Sequence, residues 1–241
     1  MDGTATDSQL IAITSGPPPA TIADVLGIMR RIDNLLPGGD GLKWFNLLYM
    51  TVTQKIDSSP PQGGWGDSAW LERLDVVFAK LYFSAILNWL NHPACVPSSW
   101  QAVFEVRFRP GIERIQFALA GMNAHINHDL ALALLQTALE LSLTPAKTSP
   151  EHDDFERVNG ILEAVLPQAL EFLATGILGE LAQDTGKIGG LLAIWKVRVA
   201  RDLAWDFADH LRCLTGGTRD SALAAQDKVT GVLGRSLLLA V

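Results

Sequence analysis

Apolar residues recur at positions i, i+3, i+4 and i+7 along most of the chain, which is the spacing of an amphipathic helix. The first such segment begins at residue 22, with Thr21 as its expected cap, and ends before Pro37. Strict alternation of apolar and polar positions, typical of strands, is nearly absent, and only residues 103–108 leave a short strand open. Further helices are predicted over residues 42–56, 69–90, 100–106, 112–143, 153–181, 188–214 and 221–239.

These helices are predicted to form one all-α domain over residues 21–241. No internal repeat is found in the chain, and no linker is long enough to separate two domains. The most apolar predicted helix, over residues 112–143, is expected to be the buried centre of a bundle of about seven to eight helices. Residues 1–20 contain three consecutive prolines and neither lysine nor arginine, so they are predicted to form a flexible tail rather than a secretory signal.

Composition and charge indicate which kinds of molecule the protein is expected to bind. Of the 241 residues, 48% are hydrophobic and 19% are charged, which suits helices that are buried on several sides. The formal net charge of −7 repels phosphate backbones, so no nucleic acid is expected. No apolar run reaches the roughly 20 residues of a membrane span, and the two distant cysteines give no disulfide framework. A cytoplasmic protein that binds no membrane is therefore expected.

The predicted central helix carries five polar side chains inside an otherwise apolar run over residues 117–134. Buried polar groups cost free energy unless they are hydrogen-bonded, so these side chains need partners or a ligand. Asn123 and Asn127 lie on one side, where their amides are expected to tie neighbouring helices together. The opposite side, at about 100° per residue, carries His125, Asp129 and Gln136, with His128 and Met122 at its margins.

His125 and Asp129 are the expected catalytic pair. Their i, i+4 spacing lets the Asp129 carboxylate accept a hydrogen bond from one imidazole nitrogen of His125, which fixes the tautomer and leaves the other nitrogen free to act on a ligand. Gly121 and Ala118, one and two turns earlier on this side, leave room for that ligand. The alternative is that the pair only specifies packing, as buried polar networks often do.

Residues 121–130 read Gly-Met-Asn-Ala-His-Ile-Asn-His-Asp-Leu. This stretch resembles the Gly-Met-Asn-Ala-His-Ile-Asn-x-Asp-Leu signature of an all-α family of unknown function that is found mostly in actinobacteria. The similarity extends to residues 154–159 and 201–205, so that it covers roughly residues 44–214. The resemblance brings no established activity, and the position of His128 is a free one in the signature. It implies that four residues belong together, namely Asn123, His125, Asn127 and Asp129.

A metal site is an alternative interpretation of the same stretch, because helical histidines at i and i+3 can chelate a metal ion. The spacing of His125, His128 and Asp129 resembles that of the metal-dependent phosphohydrolases known as the HD superfamily. The ligand set of such a site would be completed by His92 together with Asp206 or Asp209. A metal-dependent hydrolase is therefore the second hypothesis, and a noncatalytic binding protein for an apolar ligand is the third.

The leading hypothesis is a cofactor-independent enzyme, a cyclase or isomerase of secondary metabolism that acts on an apolar or polycyclic substrate in an internal cavity. This choice rests on the lack of a GxSxG nucleophile motif and of a GxGxxG cofactor motif. No cofactor and no resident metal are expected. The expected partner is a small-molecule substrate. The sequence does not decide whether the protein forms a homodimer.

In this hypothesis His125 and Asp129 perform the acid–base or hydrogen-bond catalysis. The residues expected to bind the substrate are His128, Met122, Gln136, Asp75, Arg201 and Trp205. The residues expected to form a structural polar network are Asn123, Asn127, Asp154 and Asn159.

Overall fold

The computed structural model describes residues 3–174 and 196–240, and all regular structure in these two segments is helical. The predicted all-α, single-domain bundle is confirmed. Residues 103–108, whose sequence also permits a short strand, form the end of a helix and the turn after it. The helices are α1 Gly3–Thr14, α2 Ile22–Leu35, α3 Leu42–Ser58, α4 Ser68–Asn91, α5 Ser98–Phe104, α6 Arg114–Ala124, α7 Leu130–Glu140, α8 Pro150–Leu173, α9 Val197–Cys213 and α10 Gly216–Leu237.

Local capping chemistry sets several helix starts at the predicted places. At the start of α2, the Thr21 hydroxyl accepts from the backbone N–H of Asp24, and the Asp24 carboxylate accepts from the N–H of Thr21. At the start of α4, the Asp67 carboxylate accepts from the N–H of Trp70. The predicted helices over 153–181 and 188–214 agree with α8 and α9 as far as these are described, and residues 175–195 lie outside the described part. None of the described helices is long and apolar enough to cross a membrane.

The N-terminal segment is packed onto the bundle. Residues 3–14 form α1, which lies against α2 and α4, and its Leu10 side chain is fully buried. Asp7 of the same helix forms an ion pair with the buried Arg107 guanidinium at 3.0 Å. The prediction of a flexible tail over residues 1–20 is therefore wrong for α1, because its apolar face contacts the core and the three prolines only end the helix.

The central element is a continuous helical rod made of α6, one turn of π-helix over His125–Asp129, and α7. Every residue from 115 to 126 is buried, and the rod contacts α3, α4, α8, α9 and α10. The predicted buried central helix is thus present. The π turn, however, interrupts its regular α-helical geometry.

The π turn changes which side chains share a face. The Leu130 N–H donates to the His125 carbonyl, five residues earlier, so this turn contains one residue more than an α-helical turn. An extra residue displaces the following side chains around the axis by about 100°. Gln136, expected to bind the substrate, is consequently exposed and donates to Glu140.

The space beside Gly121 is filled by Phe45 of α3. A Cβ atom at residue 121 would lie 2.3 Å from the Phe45 ring, which is closer than any real contact. The glycine thus permits the close approach of α3 to the rod, and it does not leave room for a ligand as the sequence suggested. The candidate cavity lies on the far side of Phe45, between α3, α4, α8 and α9.

Candidate active site

An internal cavity of about 70 Å³ lies beside the π turn, between α3, α4, α8 and α9. Its wall is mostly apolar, with side chains such as Leu48, Phe78 and Leu162. A cavity of this composition excludes water from much of its surface and strengthens the electrostatic interactions of any polar group inside it. The polar residues that line it are Tyr49, Thr53, Asp75, His125 and Arg201.

His125 lines this cavity, and one of its ring nitrogens has no hydrogen-bond partner. Its Nδ1 lies 3.0 Å from Oδ2 of Asp129, whereas its Nε2 is buried and has no hydrogen-bond partner in the structure. A carboxylate accepts only, so in the neutral imidazole the hydrogen sits on Nδ1 and the lone pair on Nε2. Burial lowers the pKa of His125, although the hydrogen bond and charge of Asp129 oppose this. Nε2 is therefore an unprotonated acceptor at neutral pH.

Aromatic side chains fix the orientation of the His125 imidazole. The Phe78 ring stacks on it, with centroids 3.5 Å apart and planes 7° apart. The Tyr49 ring meets it edge-on at 4.5 Å, and the Phe45 ring does so at 5.6 Å. Side chains held this closely lose little further freedom when a ligand is placed, which is the condition for acid–base catalysis by a positioned group.

Asp129 contacts Nδ1 of His125, and both oxygens of its carboxylate accept hydrogen bonds. Its Oδ2 also accepts from the indole Nε1 of Trp100 at 2.8 Å, and its Oδ1 lies 2.8 Å from Nδ1 of His128. Burial raises the pKa of Asp129, but the hydrogen bonds from the two imidazoles and their charges outweigh burial, so that the pKa lies below its ordinary value. The carboxylate is ionised and can stabilise a proton on His125.

Asp75 of α4 is the second polar group with an unpartnered atom in the cavity. Its Oδ2 is buried without a hydrogen-bond partner. Burial raises the pKa of Asp75 to about 7, although the charge of Arg201 opposes the shift. A carboxyl group with such a pKa is protonated in a large share of molecules at neutral pH and can donate a hydrogen bond or a proton.

Arg201 of α9 brings a buried cation to the same cavity. Its Nε donates to Oδ1 of Asn159 at 2.7 Å, and one terminal nitrogen donates to the Phe155 carbonyl at 2.7 Å. The guanidinium also lies 4.0 Å from the Phe155 ring centroid. Burial lowers the pKa of Arg201 to about 10, with Asp75 opposing the shift, so the side chain stays charged at neutral pH. Because its hydrogen-bond acceptors here are neutral, its charge acts on the cavity.

The residues expected to bind the substrate divide into two groups. Met122, Asp75 and Arg201 line the cavity together with His125. His128 does not line it, because its imidazole lies between the carboxylates of Asp129 and Asp227.

Trp205 and Gln136 also lie away from the cavity. Trp205 packs against Phe155 at 5.0 Å and against His152 at 4.6 Å between ring centroids, and it is buried in the core. Gln136 faces solvent because of the π turn. Arg201 and Trp205 thus lie four residues apart on one helix, but only Arg201 lines the cavity.

Three of the four residues expected to form a structural network hold a neighbouring element, and the Asn127 side chain bonds within the rod. Asn123 donates to the Thr230 carbonyl of α10 at 2.9 Å, and Asn127 donates to Asn123 at 3.0 Å. Asp154 accepts from the backbone N–H groups of Gly66 and Asp67 at 2.8 and 2.7 Å, which fixes the loop before α4. Asn159 holds Arg201, as described above. These bonds tie α10 to the rod, and they tie the loop before α4 and helix α9 to α8.

The geometry does not favour the metal site. His125 and His128 both direct Nδ1 to the same carboxylate, and their Nε2 atoms have different surroundings. Across residues 3–174 and 196–240, no three His, Cys, Asp or Glu side chains are arranged to share a metal ion. The proposed additional ligands lie apart from these groups: His92 is exposed, Asp206 pairs with Lys147, and Asp209 pairs with Arg212.

Among the residues that sequence reasoning missed are Trp100 and Tyr49. Trp100 donates to Asp129 across 29 positions of sequence, and Tyr49 contacts both the cavity and the His125 ring. Both were predicted only as members of helices. No local pattern marks either residue, since their contacts come from the packing of α3 and α5 on the rod.

The fold and the cavity define a class, an all-α protein with an internal apolar cavity that holds a neutral imidazole, a carboxyl group and a guanidinium. Residues 22–240 match the model of a family described as a family of unknown function, DUF5995. The chain belongs to this family. Comparisons with curated proteins and with solved structures found no match.

Proposed function

We propose that the protein is a cofactor-independent enzyme that isomerises or cyclises a small, apolar carbonyl compound in the cavity. His125 is the general base in this proposal and Asp75 is the general acid. The observation that carries it is the buried Nε2 of His125, which has no partner among the described residues and belongs to a side chain that lines a mostly apolar cavity. A polar atom in such a place costs free energy, and a substrate that meets it recovers that cost.

The reaction begins with proton transfer from carbon. Nε2 of His125 takes a proton from the carbon next to the substrate carbonyl, and the electrons of that C–H bond form a carbon–carbon double bond. The carbonyl oxygen at the same time takes a proton from the Asp75 carboxyl group, so that a neutral enol forms. Asp129 stabilises the imidazolium during this step, because its carboxylate faces Nδ1.

The enol then completes either reaction without an oxidant or reductant. In an isomerisation, the substrate carries a second carbon–carbon double bond conjugated with the enol. The imidazolium returns its proton to the far carbon of this dienol, the double bond shifts, and the carbonyl re-forms as the enol oxygen returns its proton to Asp75. In a cyclisation, the enol carbon attacks a second electrophilic carbon of the same molecule. The electron pair released there is protonated by the imidazolium, and Asp75 again recovers its proton. Both routes restore the starting enzyme.

The size of the cavity limits the size of the substrate. A cavity of about 150 Å³ holds a benzene ring, and this one measures about 70 Å³. A molecule smaller than benzene therefore fits the cavity better than the polycyclic substrate predicted from the sequence. Arg201, a buried cation on the cavity wall, further favours a substrate whose oxygen gains negative charge during the reaction.

A noncatalytic binding protein is the second candidate, and the mostly apolar wall favours it. Binding of an apolar ligand needs shape and burial but gains nothing from an imidazole with a free lone pair. The two candidates therefore differ in whether bound molecules exchange carbon-bound protons.

Deuterium exchange tests the proposal. The protein is incubated in D2O with a panel of small cyclic and linear ketones, and loss of the proton next to the carbonyl is followed by NMR. Exchange is expected with the wild type and with the control His92→Gln, which changes an exposed histidine. His125→Gln is expected to slow exchange by about 100-fold or more. A folded His125→Gln protein that exchanges at the wild-type rate refutes the proposal, and ligand binding without exchange establishes the binding protein instead.

A further inference from the structure

His128 lies between two carboxylates on the side of Asp129 that faces away from the cavity. Its Nδ1 is 2.8 Å from Oδ1 of Asp129, and its Nε2 is 3.8 Å from Oδ1 of Asp227 in α10. Asp227 is itself fixed, since its carboxylate accepts from the backbone N–H groups of Ser98 and Ser99 at 2.7 and 2.9 Å. The His128 imidazole is nearly buried, whereas Asp227 is partly exposed.

The two imidazoles on Asp129 differ in their tendency to carry charge. Burial lowers the pKa of His128, but Asp129 and Asp227 together outweigh burial, and the pKa lies above its ordinary value. Burial dominates at His125, whose pKa lies below its ordinary value. The proton shared around this carboxylate is thus held at His128, and His125 remains neutral.

We propose that His128 is a positioning residue that balances the charge of Asp129 and thereby keeps His125 a neutral base with a free Nε2. This inference rests on the proposed function, because it concerns the base of that reaction. It assigns a role to a residue that does not touch the cavity. It also explains why a carboxylate that must orient one imidazole lies between two of them.

The charge balance has a direct consequence. Without His128, the negative charge of Asp129 acts more strongly on His125 and favours a proton on its ring. An imidazolium has no lone pair on Nε2, so the base is lost over a wider range of pH. Other titratable and charged groups also face His125 or the cavity, and they stay unchanged in this comparison: Tyr49 from α3, Asp75 and Tyr82 from α4, and Arg201 from α9.

Nitrogen-15 NMR of the histidine side chains tests the inference on the intact protein without a substrate. In the wild type, His125 is expected as the neutral tautomer with hydrogen on Nδ1. In His128→Gln, the titration midpoint of His125 is expected to rise by about one pH unit. His92→Gln, a change of an exposed histidine, is the matched control and is expected to leave the midpoint of His125 unchanged.

A second variant keeps the test decisive if His128→Gln does not fold. Asp227→Asn removes the outer charge, so the midpoint of His128 is expected to fall and that of His125 to rise. Unchanged midpoints of His125 in a folded His128→Gln protein, or of both histidines in Asp227→Asn, overturn the inference. A wild-type His125 with hydrogen on Nε2 overturns the proposed function itself, so the two failures are distinguishable.

Discussion

The Phe78 ring lies flat on the His125 imidazole, with the ring centroids 3.5 Å apart and the planes 7° apart. Phe78 belongs to α4 and His125 to the π turn of the central rod, so this contact joins two elements that are distant in sequence. It holds the imidazole in the plane in which Nδ1 reaches Asp129 and Nε2 has no hydrogen-bond partner. Several measurements can test how this arrangement is maintained.

Phe78→Ala removes the ring that supports His125. We expect the free energy of unfolding to fall by about 3 kcal/mol, because a buried aromatic side chain is replaced by a cavity. The proposed proton exchange should fall as well, since the imidazole loses its fixed plane. Urea unfolding and the deuterium-exchange assay measure the two effects. Leu139→Ala, at a side chain that is 67% exposed, serves as control and should change stability by less than about 0.5 kcal/mol.

Gly121→Ala tests the close approach of α3 to the rod. The new methyl group would lie 2.3 Å from the Phe45 ring, so we expect a loss of about 1–3 kcal/mol in the free energy of unfolding. Gly160→Ala in α8 is the matched control. A Cβ atom there meets nothing within 4 Å, and alanine favours a helix, so this variant should gain up to about 1 kcal/mol. Equal effects of the two substitutions on thermal unfolding would contradict the packing described.

Trp100→Phe removes the indole N–H that donates to Asp129 and keeps most of the ring. A hydrogen bond to a charged group contributes about 1.5–3 kcal/mol, so the free energy of unfolding should fall by that order. Trp89→Phe is the control, since its partly buried ring stacks on Phe104. A smaller loss at residue 100 than at residue 89 would argue against the role given to the indole N–H.

The buried carboxyl group of Asp75 makes the free energy of unfolding depend on pH. Burial raises the pKa of Asp75 from 3.8 to about 7, so between these values the folded protein binds more protons than the unfolded chain. The contribution of this residue to the free energy of unfolding must therefore decrease as pH rises from about 4 to about 7 and stay low above that range. Urea unfolding across this range measures it.

The matching variant is Asp75→Asn, which cannot ionise. Its stability relative to the wild type is expected to increase as pH rises through the same range. Asp220→Asn, which changes an exposed aspartate of α10, should follow the wild type. A constant difference between wild type and Asp75→Asn at all pH values would show that the carboxyl group is not desolvated.

Leu10→Ala tests whether α1 is part of the fold. Leu10 is fully buried, and loss of such a side chain costs about 2–5 kcal/mol. A flexible tail would give no change in urea unfolding. Gln9→Ala, at an exposed position of the same helix, should leave stability within about 0.5 kcal/mol of the wild type.

Much of the secondary structure follows from local chemistry that the sequence displays. Thr21 and Asp67 cap their helices through bonds to residues three positions later, so their role depends on a few neighbouring residues only. The His125–Asp129 contact is local in the same sense, because four residues along a helix bring the two side chains together. These features could be predicted without knowledge of how the helices pack.

The cavity and its second polar group could be predicted only in part. The sequence indicates Asp75 and Arg201 as binding residues, yet their common cavity with His125 exists only because α4 and α9 pack on the same side of the rod. The π turn places Gln136 at the surface. A helical pattern drawn with a constant angle per residue cannot show this, because the π turn contains one additional residue.

The sequence by itself determined the helical class, the helix starts and the pairing of the imidazole with its carboxylate, because these depend on hydrogen bonds within one or two turns. The tertiary structure decided which polar atoms lack a partner, which ring stacks on His125 and which side chains share the cavity. Those properties depend on distances between helices far apart in the chain, and such distances are set by the packing of the whole core.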